Sequence, residues 1–394
     1  MTDQAVARVR GGGWWRDQRV RGIVFQIVVA AAIVLFAAYI IGNTAQNLEQ
    51  RGIASGFEFL GRQAGFDISI TLIPYTVESS YGRVFWVGLV NTIVLSVIGI
   101  FLATIWGFLL GILRLSPNWL IRKLAATYLE TIRNIPLALQ IVFWYFGVIA
   151  AMPVVRNAID INGTVFLHNR GVNFPKLLPE AGFILIPIAL LVGIGIAVLM
   201  KRWVARRQAA TGEQFPTGWV TAGLVLGLPF LTALIAGQPW AWEYPELKGF
   251  NFKGGWVILP EFVAVLMALV AYTSAFIGEI VRAGIQAVSH GQTEAAYAVG
   301  LRPGPTLRLV IIPQALRVIV PPLTSQYLNL TKNSTLGVLV AYPDLVNVFA
   351  GTVLNQTGQA VECLLLTMLV YMTLSLLISA FMNWYNKRIA LKER

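Results

Sequence analysis

The sequence is short of charge. Only 12% of its 394 residues are Asp, Glu, Lys or Arg, about half of the roughly 25% that soluble domains carry. Cysteine is scarcer still. Cys363 stands alone, so an internal disulfide is excluded, and inside an apolar run it reads as a small packing residue. Two histidines, His168 and His290, with no Cys/His spacing leave a metal site without support. The chain also lacks a G-x-x-x-x-G-K-[ST] phosphate loop, and with it any evident means of using ATP itself.

Apolar residues are plentiful, at 57% with a mean hydropathy of +0.69. Several uncharged stretches are long enough for a hydrocarbon slab ~30 Å thick. Every backbone amide inside lipid needs an internal partner, and the weak alternation of a barrel is absent, so these stretches should be helices. The expectation is an all-α integral membrane protein of about eight transmembrane helices. The spans fall at 22–41, 84–113, 137–152 with a polar lead-in from 124, 182–200, 218–235, 258–277, roughly 312–330, and 360–384. Pro313, Pro321 and Pro322 make the seventh the least regular, since each removes a helical donor.

The net charge of +12 invites a nucleic-acid reading. The basic residues sit in short loops between apolar spans rather than on one aromatic-laced face, which argues against it. Those loops set orientation instead. With the N-terminus inside, Lys and Arg on the inner loops, including Arg8 to Arg21, Arg122, Lys123, Lys201 to Arg207 and Lys387 to Arg394, outnumber the outer ones more than twofold. The outer set includes Arg51, Arg62, Arg156, Lys248 and Lys332. Both termini should therefore be cytoplasmic. Twenty apolar residues after the basic N-tail favour a retained first span over a cleaved signal peptide. The outer segments 42–83 and 153–181 read as small ordered caps or lids, and 201–217 as a basic inner loop.

The inner loop before the seventh span carries the most information. Residues 292–299 read as a short helix with Ser289 or Thr293 as N-cap and Glu294 near its positive end. Ala295, Ala296 and Ala298 keep its surface small, Gly300 ends it, and Pro303-Gly304-Pro305 forces a turn. On physics alone, a docking helix and an ordinary amphipathic connector are equally good readings. Glu294-Ala295-Ala296, Gly300 six residues after the glutamate, and Val310-Ile311-Ile312-Pro313 resemble the EAA loop of ABC importer permeases. Val310 and Ile312 replace the usual Ile and Leu. The stretches 124–147, 271–288 and 313–336 are similar to polar amino-acid permeases. The enlarged layout looks like proteobacterial general L-amino-acid permeases or glutamate/glutamine/aspartate/asparagine systems.

The resemblance implies a five-helix type I importer core in two parts, 84–152 and 258–386, with the coupling loop at 289–313. It adds an extra helix at 22–41 between a tail (1–21) and an outer segment (42–83), an insertion with two more helices at 153–257, and a C-tail at 387–394. It further implies that Glu294, Ala295, Ala296 and Gly300 dock on a separate ATPase dimer, with Pro313 starting the next helix. ATP and Mg would be held there; no cofactor is expected in this chain, which would not itself be an enzyme. The other implied partners are a second homologous permease subunit, a periplasmic amino-acid-binding protein, the amino-acid substrate and membrane lipid.

Candidate pathway residues are polar groups that cannot face lipid cheaply. Ser325, Asn329 and Lys332 recur at i, i+4 and i+7, one helix face; snorkelling explains Lys332 equally well. Gln140, Thr273 and Ser274 suit either substrate contact or interhelical hydrogen bonds. Structural ion pairs are the expected roles of Glu279 with Arg282 and of Glu130 with Arg133, and Glu362 reads as solvated. Gly107 and Gly111 suit close helix packing. Two alternatives stay open: an ion-coupled secondary transporter using Lys332, Glu362 and Glu279, and a membrane scaffold whose loop only recruits a partner.

Overall fold

The computed structural model describes residues 18–50, 55–213 and 215–389. The N-tail to residue 17, Arg51 and the last residues of the C-tail, 390–394, lie outside the described residues. Seven helices among them are long and apolar enough to cross a membrane, or eight if one bent pair is a single span. The chain divides into two compact units, 1–93 with 343–378 and 94–342 with 379–394.

The first unit contains α1 (Gln18–Gln50), the start of α2 (Tyr81–Leu113), α12 (Leu354–Thr357) and the start of α13 (Ala360–Ile389). The whole apolar surface of α1 is left unburied by the chain, as a lipid-facing helix allows. Apart from it, Phe59, Val84, Val87, Leu345, Phe349, Val353 and Cys363 form a fully enclosed core, with Phe85 set edge-on to Phe349 at 5.2 Å. Before α2, residues 55–80 carry backbone bonds of their own, Ala64 N–H donating to Ser79 O at 2.9 Å and Gly65 N–H to Val77 O at 3.1 Å, whereas 42–50 of the expected outer segment belong to α1. An adjacent polar pair in the apolar α2 fixes the chain beyond residue 342. Asn91 Nδ2 donates to Ile70 O and Pro343 O, at 2.9 and 2.8 Å, and Thr92 Oγ1 accepts from Leu345 N–H at 3.0 Å.

The second unit is built round α8 (Pro260–Gln286), which has Ala264, Ala268, Leu269, Ala275, Ile277 and Val281 buried. The C-terminal half of α2 lies hard against it. A Cβ on Gly107 would come within 2.5 Å of Ile277 Cβ, and one on Gly111 within 2.7 Å of Val281 Cβ; glycine is what permits this approach. On another side Leu129 of α3 (Trp119–Asn134) is buried with Leu110 and Ala275.

The expected third span begins at Leu137 but is bent away from its polar lead-in. The helices α3 and α4 (Leu137–Val142, continued as a π-helical stretch to Ile149) meet at 105°. The cause is Pro136, which has no N–H and pushes the preceding Ile135 into extended geometry, φ −96° and ψ 125°. The seventh span departs in the opposite sense. Its helix begins at Pro303 rather than Pro313, running through α10 (Pro303–Thr306) and a π turn (Leu307–Ile311) into α11 (Ile312–Asn333). Pro303 and Pro305 occupy a first turn, where the missing donors are unneeded anyway. Ile312 N–H bonds Leu307 O five residues back, so a widened turn precedes Pro313. Pro321 and Pro322 are carried inside α11 without ending it.

The insertion adds β structure. Strands β1 (Ile159–Ile161), β2 (Val165–His168), β3 (Gly171–Phe174) and β8 (Trp256–Ile258) form an antiparallel sheet in the order β1-β2-β3-β8. β4 (Lys176–Pro179) pairs with β5 (Trp240–Glu243), and β6 (Glu246–Lys248) with β7 (Asn251–Lys253). Strands from before and after α5 (Leu185–Thr211), α6 (Thr217–Ala222) and α7 (Leu228–Ile235) thus pair with each other, closing the base of that helical hairpin. His168 is buried in this sheet, bonded to Asn173 Oδ1 at 2.7 Å and stacked on Phe252.

Candidate functional site

The loop after α8 forms α9 (His290–Ala298), two residues earlier at its start than the pattern suggested. Ser289 takes the N-cap position without a side-chain bond. Glu294 Oε1 lies 3.0 Å from His290 Nδ1, both groups in the open. The far end is strongly fixed. Gly300 has φ +82°, its N–H donates to Tyr297 O at 2.9 Å, and Leu301 N–H donates to Ala296 O at 3.0 Å. This pair of bonds is a Schellman stop, and it needs the left-handed residue that glycine supplies. Ala296 is buried against its own chain, whereas Glu294, Ala295, Tyr297, Ala298 and Val299 are exposed. Gln314 Nε2 donates to Gln292 Oε1 at 3.0 Å and ties α9 to the next helix. Pro313 lies inside that helix.

The six candidate pathway residues separate into two sets. Ser325, Asn329 and Lys332 are all exposed along one face of α11. Gln140, Thr273 and Ser274 are buried. Gln140 Nε2 donates to Ile132 O and Ile135 O, each at 2.9 Å, capping carbonyls that the break at Pro136 sets free. Ser274 Oγ returns to Ala271 O in its own helix at 2.9 Å.

The charged residues of the spans are mostly engaged. Glu279 pairs with Arg282 and with Arg114. Glu130 lies 3.5 Å from Arg114 rather than on Arg133, whose guanidinium sits 5.0 Å over the Phe276 ring. Glu362 is not solvated: it is buried and accepts from Gly56 N–H at 2.6 Å. Two of the three groups that an ion-coupled carrier would use are thus tied into the fold. Sequence reasoning passed over Asp344, buried in the connection between α11 and α13. Burial pushes its carboxyl up to about 7, against a 2.8 Å bond from Asn347 N–H. The signal available for it was an ionisable residue between apolar runs.

Residues 99–391 match the family described as the binding-protein-dependent transport system inner membrane component. The chain belongs to this family. It is a multi-pass inner-membrane protein. Over their full lengths, the chain is 47% identical to a general L-amino acid transport system permease protein of Rhizobium johnstonii. A putative amino-acid ABC transporter permease protein of Escherichia coli is 50% identical, with 98% of each chain covered. A glutamate/glutamine/aspartate/asparagine transport system permease protein of Rhodobacter capsulatus is 45% identical over 96% of each.

Proposed function

We propose that this chain is one transmembrane permease subunit of an ATP-driven ABC importer that moves L-amino acids, polar or of broad range, across the inner membrane by alternating access. The observation that carries the reading is α9. Its Tyr297 and Val299 are 49% and 76% exposed on a rigidly stopped helix of small side chains. Such a helix suits insertion in a cleft of another protein. An ATPase dimer would supply the cleft and hold the ATP and Mg. The functions in the relatives' names, all amino-acid transport, support the substrate class.

The exposed Ser325, Asn329 and Lys332 stripe supports a pathway shared with a second permease subunit, because lipid is a poor neighbour for it. A periplasmic binding protein would deliver substrate at the outer face. ATP state and substrate then bias the same two-state bundle through their different affinities for its conformers. On this reading both termini lie in the cytoplasm and Glu294, Ala295 and Gly300 face the ATPase, while Ala296, buried against its own chain, seats the helix instead of docking. The test is amino-acid uptake by cells carrying the complete system. Uptake should stop on ATP depletion and survive collapse of the proton gradient; the reverse pattern would favour an ion-coupled carrier.

A further inference from the structure

A basic cavity of about 360 Å³ opens between the inner ends of α2, α3 and α8, lined by Arg114, Trp119, Arg122, Lys123, Arg282 and Gln286. Four cations meet here, and the carboxylates on them are Glu279 and Glu130, held by Arg114 and Arg282. Two positive charges remain over. Arg122 spends one donor on Ser116 O at 3.2 Å, and among the described residues neither Arg122 nor Lys123 has a carboxylate partner. On the same turns of α3, Trp119, Leu120 and Leu124 are 66%, 55% and 63% exposed. The N-terminal half of α3 thus offers an apolar surface next to an anion-attracting hollow.

We propose that this cavity binds the phosphate headgroup of an anionic phospholipid of the inner leaflet. Arg122 and Lys123 would contact the phosphate, and the acyl chains would lie along Trp119, Leu120 and Leu124. Basic pockets between spanning helices at the cytoplasmic side suit such headgroups, and tryptophan at that depth is the usual interfacial anchor. A soluble anion would leave the apolar residues uncovered. The side of the membrane, though not the binding, rests on the orientation proposed above. Because α9 starts four residues beyond Gln286, the lipid would sit beside the docking helix.

The test titrates the purified full-length protein in detergent with dioleoylphosphatidylglycerol, dioleoylphosphatidylcholine or inorganic phosphate, and counts bound ligand by native mass spectrometry. Phosphatidylglycerol should bind at least tenfold tighter than phosphatidylcholine. The double variant Arg122→Gln/Lys123→Gln should weaken it roughly thirtyfold and leave lipid-free thermal melting unchanged. Lys201→Gln/Arg202→Gln, a basic pair on α5, should bind as the wild type does. Equal loss in both double variants, or in neither, would overturn the site. Full competition by inorganic phosphate would assign the cavity to a free anion instead. Retained lipid binding with lost ATPase assembly in Arg122→Gln/Lys123→Gln would assign it to the protein partner.

Discussion

Gln140 shows how a polar residue in a membrane span can be engaged by its own backbone, through Nε2 alone. Its side-chain amide donates to two backbone carbonyls, Ile132 O and Ile135 O, at the break where the helix ladder does not satisfy them. Replacing it with leucine removes both bonds, and Ile132 O keeps only the long 3.4 Å bond from Ile135 N–H, at about 1–3 kcal/mol for a buried group left unpaired. The Gln140→Leu protein should melt lower and accumulate less, while the KM for uptake per folded molecule stays constant. A shifted KM with unchanged melting would move Gln140 into the substrate pathway. From sequence, Gln140 and Ser325 look alike: each is a polar residue among apolar neighbours. What separates them is a bend at Pro136 that turns one inward, and the open face of α11 that leaves the other exposed. Glu362 was misleading for the same reason, since its partner Gly56 lies 306 positions away.

At the scale of elements, α2, α5, α8 and α13 were legible because long uncharged runs in lipid have one satisfactory structure. Prolines were the harder signal. Pro136 bends a span away from its lead-in; Pro321 and Pro322 do not end theirs. The β pairs of the insertion escaped notice because strands of three or four residues give little alternation to read. The end of α9 was readable from Gly300 alone, and its strain can be tested. A β-branched residue held at φ +82° costs about 1–3 kcal/mol, whereas asparagine tolerates the left-handed region. Gly300→Val should therefore cut ATP-coupled uptake severalfold without lowering the melting temperature of the bundle, and Gly300→Asn should retain most of it. Equal behaviour of the two variants in the uptake assay would mean that the Schellman stop is irrelevant to coupling.

Under the proposed reading the whole molecule is a transport core enlarged at its N-terminus and by the hairpin of α5 to α7 with its β base. It has no phosphate loop of its own; under the proposed reading it couples to ATP through one nine-residue helix. The separation of Ala296, which faces inward, from Ala295 and Tyr297, which face out, makes that coupling addressable without unfolding the loop. The most direct measurement is ATP-dependent amino-acid uptake into proteoliposomes holding this chain with its partner permease, ATPase and binding protein, compared with the double variant Ala295→Arg/Tyr297→Asp. The account predicts wild-type expression and melting for the variant, with ATPase association and uptake both reduced at least tenfold. Undiminished uptake by the double variant would contradict it.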